Sequence, residues 1–319
     1  MRGEREVPQL VVGLAQVWGE VVLKPRLEVC PTVIKASVVI LTWNSTEMLS
    51  ACLTSLPQSF AAHPYEVIVV DNGSRGLTPA ALREEFPWIQ LLVNRRNRGV
   101  APARNQGIRV AQGEYVILLD DDTVVQAGAF DRLLTYMDEH PEVGLCGPRL
   151  IDPQGQLQLS CRLFPTLSDK LARRLSSPLA REVAREVEMA DWDHGSAREV
   201  DYVIGACQVI RRAALAEVGL LDERIFYGPE DVDLCLRLRK AGWRVAYNPE
   251  AVVVHKERRV TRSLSSPLGW RHLCGLVYFF WKHGYLLSRR RLYARLRNQR
   301  SAVSNQLLDP DQAEGREEL

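Results

Sequence analysis

Residues 36–56 read ASVVILTWNSTEMLSACLTSL, a run of β-branched and aliphatic residues followed by a polar turn and a helical stretch. Valine and isoleucine favour a strand over Ser37–Thr42, and the apolar spacing after it predicts a helix over Thr46–Leu56. Asn44 with Glu47 three residues later predicts a capping box at the start of that helix. A strand followed at once by a helix is the first part of a βαβ unit.

The alternation of strand and helix continues along the chain. The next predicted elements are strands Glu66–Asp71, Ile89–Val93 and Tyr115–Asp120, with helices Thr78–Glu85 and Pro102–Ala111 between them. Later predicted elements are a helix over Ala127–Glu139, a strand over Val200–Ile210 that Gly205 interrupts, a helix over Glu230–Ala241 and a strand over Ala251–His255. The pattern predicts an α/β fold of nucleotide-binding type, with a central and mostly parallel sheet flanked by helices.

The composition indicates a folded globular protein. Of the 319 residues, 46% are hydrophobic and 25% are charged, which excludes wholesale disorder, collagen and a coiled coil. The net charge of +2 is unevenly spread, since residues 256–300 hold 12 Lys or Arg against one acid. We therefore expect any anionic surface to be met by the C-terminal region. The seven cysteines are scattered and odd in number, which fits thiols in a reducing compartment.

Four regions are expected along the chain. Residues 1–35 form an accessory N-terminal segment, 36–256 the α/β domain, 257–300 a basic and aromatic helical extension, and 301–319 an acidic flexible tail. The N-terminal stretch lacks the basic-then-apolar layout of a signal peptide, and no run reaches the roughly 18 apolar residues of a membrane span. We therefore expect a cytoplasmic protein without a membrane-spanning helix.

Polar residues follow three of the predicted strands where each strand ends. They are Thr42-Trp43-Asn44, Asp71-Asn72-Gly73-Ser74 and Asp120-Asp121-Asp122-Thr123. Such residues are common in ordinary turns, which is the alternative for each site taken alone. Ligands of open α/β sheets bind beyond the carboxyl ends of the strands, so three matching strand ends predict one ligand-binding edge.

The Asp120-Asp121-Asp122 triplet places three carboxylates at the end of an apolar strand. A divalent cation would relieve their mutual repulsion, and Mg2+ or Mn2+ suits hard oxygen ligands. The alternative is a solvated acidic turn. His255 ends another apolar strand, where a histidine is either structural or the nitrogen ligand of a mixed metal site.

The segment Gly228-Pro229-Glu230-Asp231-Val232-Asp233 places acids at the start of a predicted helix. The helix dipole favours acids in the first turn, and Asp233 can pair with Arg237 four residues on, so a structural role is one interpretation. The other is catalytic, because a carboxylate fixed at a helix start and facing the sheet edge could accept a proton from an attacking hydroxyl.

Six motifs fall in the order seen in family-2 glycosyltransferases of the GT-A fold, and residues 36–256 resemble the rhamnosyltransferase-like branch of that family. The motifs are Ser37–Asn44, Val70–Ser74, Asn97-Arg98-Gly99 with Ala103–Gly107, Asp120–Asp122, Gly205-Ala206 before Arg211-Arg212, and Glu230–Asp233. Each motif alone is weak, but six in this order at suitable spacing are specific.

The resemblance implies inverting transfer of a sugar from a UDP- or dTDP-linked donor to the hydroxyl of a glycan, a lipid-linked saccharide or a cell-envelope saccharide. It implies that Asp231 is the catalytic base and that Asp122 and His255 bind the cation, Mn2+ or Mg2+. The implied donor-binding residues are Thr42, Asn44, Asp71, Asn97, Arg104, Asp120 and Asp121. The implied acceptor-binding residues are Glu230, Gly205 and Ala206.

The C-terminal region combines the apolar stretch Leu276–Trp281 with the basic run Arg289–Arg291 and further arginines up to Arg300. This combination is typical of an interfacial helix, so we expect residues 270–300 to contact an anionic membrane surface, on the inner face of the cell membrane. The alternative is a helix that packs its aromatic residues on the α/β domain or on a second subunit of a homo-oligomer.

Two other functions stay open on the residues alone. The Asp120-x-Asp122 pattern also resembles the nucleophile motif of haloacid-dehalogenase-like, Mg2+-dependent phosphatases. A non-catalytic module that binds nucleotide sugars would instead tolerate Asp231→Asn without functional loss. We expect no specific nucleic-acid partner, because arginines without a recognised binding fold support only salt-sensitive, nonspecific attachment.

Overall fold

The structure of the chain is a computed structural model that describes residues 33–76, 79–172, 177–257 and 267–297. The predicted accessory segment up to residue 32 and the predicted tail at 301–319 lie outside the described residues. The same holds for residues 298–300 at the end of the basic run.

Strands and helices alternate through most of the described chain. The strands are β1 (Ala36–Thr42), β2 (Tyr65–Asp71), β3 (Ile89–Val93), β4 (Tyr115–Asp120), β5 (Thr123–Val125), β6 (Val143–Ile151), β7 (Leu157–Gln158), β8 (Cys161–Arg162), β9 (Arg198–Glu199), β10 (Tyr202–Val203), β11 (Cys207–Arg211) and β12 (Arg244–His255). The helices are α1 (Thr46–Ser59), α2 (Pro79–Glu85), α3 (Val100–Val110), α4 (Ala129–Glu139), α5 (Leu167–Ala172), α6 (Pro178–Val187), α7 (Arg212–Val218), α8 (Glu230–Lys240) and α9 (Pro267–His283). Residues 289–297 are also helical.

One large sheet organises the fold, with its strands in the order β3-β2-β1-β4-β11-β6-β12-β5. Strands β3, β2, β1, β4, β6 and β12 point in one direction, while β11 and β5 run antiparallel to their neighbours. The predicted central, mostly parallel sheet is therefore confirmed. The chain builds outward from β1 to β3 and then places β4 on the other side of β1. This reversal of strand order is the point at which open α/β sheets bind ligands.

The sheet carries a hydrophobic core on each face, because its central strands are apolar along their length. On one face, Val38 of β1 belongs to the same buried cluster as Leu53 of α1. On the other face, Val39 shares a cluster with Ala101 of α3 and Leu234 of α8. Alternate side chains of β1 thus hold helices on both sides, which fixes the position of the strand ends that form the site.

Three local predictions differ from the structure by more than a few residues. The strand predicted over Ala251–His255 is the second part of β12, which already begins at Arg244. The capping box at Asn44 is wrong, because α1 begins after Ser45 without a side-chain cap hydrogen bond. Asn44 instead has a φ of 54°, and its Oδ1 accepts the backbone N–H of Arg75 over 2.7 Å. The strand predicted over Val200–Ile210 is divided into β10 and β11, with Gly205 in the break.

The C-terminal extension packs on the α/β domain through one face of α9. Phe279 and Phe280 are buried in the same cluster as the apolar side chains of α8, so the packing interpretation is right for these two rings. A second face of α9 is exposed: Trp270, Val277 and Trp281 are 63%, 63% and 74% exposed. We call these three residues the α9 stripe. Within the described ranges, no helix combines the length and apolar character needed to cross a bilayer.

Candidate active site

A cavity of about 540 Å3 lies at the carboxyl ends of β1 and β4. Most of the predicted site residues line it: Asn44, Asn97, Arg104, Asp120, Asp121, Asp122, Gly205, Ala206, Glu230, Asp231 and His255. Asp71 lines a second cavity of about 670 Å3, which shares Asn44 and Asn97 with the first. Thr42 is buried and is not among the residues that line either cavity. The acids that end β4 and those that begin α8, distant in sequence, thus face one space.

Asp120, Asp122 and His255 form a cluster in which one ligand atom from each lies within 4.8 Å of the others. Pairing of β12 with β5, in the register His255↔Thr123, brings the histidine beside the acids. Ligand atoms this close to one another can converge on a single ion. The donor set fits a hard divalent cation, and it adds Asp120 to the predicted pair of Asp122 and His255.

Gln158 orients His255 toward the two carboxylates. Its Nε2 donates to the backbone O of His255 (2.8 Å), and its Oε1 lies 2.9 Å from Nδ1 of the imidazole. This geometry assigns the proton to Nδ1, so that Nε2, 3.5 Å from Asp122 Oδ1, is the nitrogen that can bind a metal. Burial lowers the pKa of His255, but the adjacent carboxylate of Asp122 and the charge of Asp120 outweigh burial and raise the pKa. The same negative field attracts a cation.

Asp121 is held by the end of β1. It is 3% exposed, and the Thr42 hydroxyl donates to its Oδ2 over 2.6 Å. Thr42 is paired with Asp71 in the sheet register, and its backbone O accepts the N–H of Asn72 over 2.9 Å. Hydrogen bonds therefore join the ends of β1, β2 and β4, the three strand ends predicted to form one edge.

Buried Arg104 connects the acidic cluster to the α8 side of the cavity. Its Nη2 donates to Asp120 Oδ1 (2.5 Å) and to the backbone O of Gly205 (2.8 Å). The N–H of Gly205 in turn donates to Asp231 Oδ2 (3.0 Å). A Cβ atom on Gly205 would lie 3.1 Å from an Arg104 nitrogen, which favours glycine here. A continuous chain of hydrogen bonds thus runs from Asp120 to Asp231.

Asp231 and Glu230 begin α8 and line the cavity in different environments. Asp231 accepts two backbone N–H groups, from Gly205 at Oδ2 and from Val232 at Oδ1 (2.7 Å). Glu230 is 7% exposed, and its Oε2 has no hydrogen-bond partner in the described part of the chain. Burial, reinforced by the negative charge of Asp231 and opposed by the positive charge of Arg104, raises the pKa of Glu230 to about 7. Near neutral pH, Glu230 therefore exchanges between its protonated and ionised forms.

Asp233 has the structural role and does not line the cavity. It is fully buried, accepts hydrogen bonds from Arg237 Nε (2.8 Å) and Lys282 Nζ (2.6 Å), and lies 2.9 Å from His283 Nε2. The predicted pair with Arg237 is confirmed, and the same carboxylate ties α9 to α8. Burial raises the pKa of Asp233, but the hydrogen bond with His283 and the neighbouring cations outweigh it and hold the pKa below its usual range.

The second cavity lies at the ends of β1, β2 and β3, where short hydrogen bonds order the loops. The N–H of Asn44 donates to Ser74 Oγ (2.8 Å), and the N–H of Ser74 donates to Asp71 Oδ1 (3.0 Å). Asn97 lines both cavities, and its Oδ1 accepts from Nδ2 of buried Asn72 over 3.1 Å. The predicted donor-binding residues of these loops therefore surround one extended space.

Three side chains of the site were not predicted from the sequence: Gln158, Phe226 and Tyr227. Phe226 and Tyr227 line the first cavity, and their only signal in the sequence is their place before the Gly228-Pro229 turn. Gln158 has no signal beyond the turn that precedes β7, because it reaches His255 across 97 residues.

The sequence matches the family model described as Glycosyl transferase family 2 over residues 37–219. The chain belongs to glycosyl transferase family 2. It is 32% identical over 259 residues to N-acetylglucosaminyl-diphospho-decaprenol L-rhamnosyltransferase of Mycobacterium tuberculosis, an alignment that covers 77% of this chain and 84% of that protein. It is 30% identical over 246 residues to the pre-mycofactocin glycosyltransferase of the same organism, of which it spans 47%. The predicted family is therefore confirmed, and the phosphatase alternative is set aside.

Solved structures of other glycosyltransferases share the fold. GalNAc-T7, crystallised with UDP, GalNAc and Mn2+, superposes with a TM-score of 0.56 at 16% identity, covering 84% of this chain and 55% of that one. The mannosyltransferase PcManGT of Pyrobaculum calidifontis, in complex with GDP-Man and Mn2+, gives 0.52 at 21% identity and covers 78% and 64%. The predicted GT-A fold is confirmed for this family-2 member.

Proposed function

We propose that this family-2 glycosyltransferase moves a sugar from a nucleoside diphosphate to an acceptor hydroxyl with inversion at the anomeric carbon. One observation carries the proposal: the cluster of Asp120, Asp122 and His255 lines the same cavity as Asp231 and is linked to it through Arg104. A single displacement needs a group that stabilises the leaving diphosphate and a base that takes the proton. This cavity offers both.

We assign the nucleobase and the ribose of the donor to the extended space at the ends of β1, β2 and β3. The residues assigned to the donor are Thr42, Asn44, Asp71, Asn97, Arg104, Asp120 and Asp121. Thr42 contributes by holding Asp121. We expect a UDP- or dTDP-linked sugar, on the strength of the family resemblance.

Asp122 and His255, with Asp120 beside them, would hold Mn2+ or Mg2+. When bound, such a cation neutralises the charge that develops on a diphosphate leaving group. The solved structures of GalNAc-T7 and the mannosyltransferase, both with Mn2+, support this assignment. Gln158 serves the site by holding the His255 imidazole in the orientation that a metal requires.

Asp231 is the base in this proposal. Its carboxylate accepts the proton of the acceptor hydroxyl while that oxygen forms a bond to the anomeric carbon. The bond from the anomeric carbon to the diphosphate oxygen breaks at the same time, and the nucleoside diphosphate leaves with the electron pair. Two backbone N–H donors fix the orientation of the carboxylate, as positioning of a general base requires. Glu230, Gly205 and Ala206 line the acceptor side.

We assign the acceptor to lipid-linked saccharides of the cell envelope. The similar rhamnosyltransferase is named for a diphospho-decaprenol acceptor. Beside α9, Leu286 and Leu287 are 47% and 66% exposed, close in sequence to the exposed Arg290 and Arg291. Apolar and basic side chains together favour the surface of an anionic membrane. We place the protein on the cytoplasmic face, where its odd number of cysteines suits a reducing compartment.

The membrane assignment is tested by sedimentation with vesicles. Binding to phosphatidylglycerol vesicles should exceed binding to phosphatidylcholine vesicles and should fall with added salt. Trp281→Ser and Leu287→Ser should weaken it. If the same variants instead convert a dimer to a monomer in light scattering, the exposed apolar side chains form a subunit interface and the membrane assignment is wrong.

The transferase assignment is tested with a panel of nucleoside diphosphate sugars, with Mn2+ or with EDTA. A thermal shift that requires the metal should identify the donor, and NMR of the product should show inversion at the anomeric carbon. Asp122→Asn should abolish the metal-dependent shift, whereas Asp191→Asn, at an exposed surface pair with Arg185, should leave it intact. Absence of any metal-dependent donor binding would overturn the proposal.

A further inference from the structure

A third cavity, of about 440 Å3, adjoins the candidate active site. Asn97 and Phe226 line both spaces, so the two cavities meet at these side chains. The rest of its lining includes Arg96 and Arg98, from the loop between β3 and α3, and Arg271 from α9. None of the acids at the end of β4 is among its lining residues.

The three arginines of this cavity form no ion pair with a carboxylate in the described part of the chain. This sets them apart from Arg104 and Arg109, which are ion-paired. Glu223 also lines the cavity, but its carboxylate already accepts hydrogen bonds from other residues. Its Oε1 lies 2.6 Å from Arg109 Nη2 and 3.0 Å from Asn105 Nδ2. These hydrogen bonds, together with the charges of Arg109 and Arg98, lower the pKa of Glu223. The cavity therefore carries an excess of positive charge.

Local contacts hold this third cavity, which we call the arginine cavity, next to Phe226 and the start of α8. The Arg271 guanidinium lies over the Phe226 ring, 3.9 Å from its centre, which is a cation–π contact. The backbone O of Phe226 accepts the N–H of Val100 at the start of α3, over 2.7 Å. Five residues after Phe226, the chain reaches Asp231. A ligand anchored on these arginines thus lies one side chain away from the space that the base faces.

We propose that the arginine cavity binds the phosphate groups of the acceptor, so that a diphosphate-linked lipid saccharide presents its hydroxyl to Asp231. Guanidinium groups pair with phosphate oxygens through two parallel hydrogen bonds, which makes arginine the suited side chain. Arg271 follows Trp270, the first residue of the exposed α9 stripe, so an apolar chain leaving the phosphates meets an apolar surface. The inference rests on the proposed transferase function and specifies its acceptor.

The arginine cavity and the acidic cluster would handle two diphosphates by opposite means. The donor diphosphate approaches carboxylates and so requires a cation between them. The acceptor phosphates approach arginines and require none. This difference separates the two sites experimentally, because EDTA should abolish the first interaction and leave the second.

The test measures binding of farnesyl diphosphate, farnesol and inorganic pyrophosphate to the whole protein by calorimetry in EDTA. Farnesyl diphosphate should bind more tightly than either other probe. Arg98→Gln and Arg271→Gln should each weaken its binding about tenfold, the scale of a lost charge-assisted contact. Arg83→Gln, an exposed arginine of α2 outside all three cavities, should change it less than twofold.

Each contrary result has a definite meaning. Equal binding of farnesol and farnesyl diphosphate would overturn a phosphate site, and equal binding of pyrophosphate and farnesyl diphosphate would overturn a lipid-linked ligand. Unchanged binding in both arginine variants would overturn the location. Metal-dependent binding of the nucleotide sugar, measured separately in the same variants, should stay at the wild-type level. If the wild type binds the nucleotide sugar but the arginine variants bind farnesyl diphosphate normally, only this inference is wrong. If the wild type does not bind the nucleotide sugar, the transferase proposal is wrong.

Discussion

Replacing Glu230 with glutamine should remove a pH dependence of stability that the buried carboxyl imposes on the fold. The side chain is 7% exposed, and burial with the nearby charge of Asp231 raises its pKa from 4.5 to about 7. Between those two values, the folded state holds a proton that the unfolded state has released. Stability therefore falls as the pH rises through this window, because the folded state binds more protons than the unfolded state.

The size of the effect follows from the two pKa values. For each unit by which the pKa of a group differs between the folded and the unfolded state, the free energy of unfolding changes by about 1.4 kcal/mol. The change takes place over the pH range between the two pKa values. The wild type should therefore lose about 2 to 3 kcal/mol of unfolding free energy between pH 5 and pH 8 through this group alone. Glutamine has nearly the same shape and no charge to bury. The variant should gain about that much relative to the wild type over the same interval.

Urea denaturation at pH 5 and at pH 8, in EDTA, measures the difference. Comparing the two proteins at each pH cancels the contributions of titrating groups that do not interact with residue 230. Glu139→Gln, on the exposed side of α4, is the matched control. Suppose that the free energies of unfolding of the wild type and Glu230→Gln differ by the same amount at pH 5 and at pH 8, to within about 0.5 kcal/mol. That result would show that burial does not raise the pKa of Glu230.

Other predictions concern single side chains. Asp231→Asn should lower kcat by about 10²- to 10⁴-fold without weakening metal-dependent donor binding, because it removes the proposed base. Single-turnover rates and calorimetry measure the two effects. Asp233→Asn should lower the free energy of unfolding at pH 7 by about 3 to 5 kcal/mol, because Lys282 and its neighbouring cations lose their buried carboxylate. The folded-state pKa of Asp233 is depressed, so this difference should be present above pH 4 and should shrink as the pH falls below it. Gln158→Leu should weaken Mn2+ binding about 10- to 100-fold, because His255 loses its orienting partner.

The controls separate these effects from misfolding. Asp231→Asn keeps one side-chain acceptor for two backbone N–H groups, so a stability loss of about 1 to 3 kcal/mol is expected and must be measured beside the rate. A variant that keeps more than a tenth of the wild-type kcat would exclude Asp231 as the base. Mn2+ affinity that is unchanged in Gln158→Leu would show that the orientation of His255 does not limit binding.

The strand ends could be predicted because one local pattern determines them. Apolar runs place β1, β2 and β4, and the parallel sheet then brings Thr42, Asp71 and Asp120 to one edge, as the register confirms. Helical phase also separates the roles of two acids on α8. Asp231 and Asp233 are about 200° apart on a helix, so only one of them can face the cavity. Helical phase alone does not say which; the family resemblance assigns the cavity to Asp231, and Asp233 instead binds Arg237 and Lys282.

Contacts between distant segments could not be predicted from local patterns. Asn44 leaves its expected capping role because it binds the N–H of Arg75, a residue of another loop. Gln158 finds His255 only when β7 adds to β6 beside β12. In α9 the spacing of apolar residues defines two faces, but only the assembled fold shows that Phe279 is buried and Trp281 is exposed.

The hydrogen-bond chain through Arg104 has a consequence for how the two halves of the site act together. A cation that binds the acidic cluster competes for Asp120, the carboxylate that Arg104 holds at 2.5 Å. Any weakening of that contact leaves Arg104 more strongly engaged with the backbone O of Gly205, whose N–H holds Asp231. Binding of a cation there would thereby be coupled to the orientation of Asp231. In Arg104→Gln, the orientation of Asp231 should therefore no longer respond to the metal. Donor affinity and kcat, each measured across Mn2+ concentrations, should then no longer rise together. If they rise together as in the wild type, Arg104 has only a structural role, and the acidic cluster and Asp231 are not coupled through it.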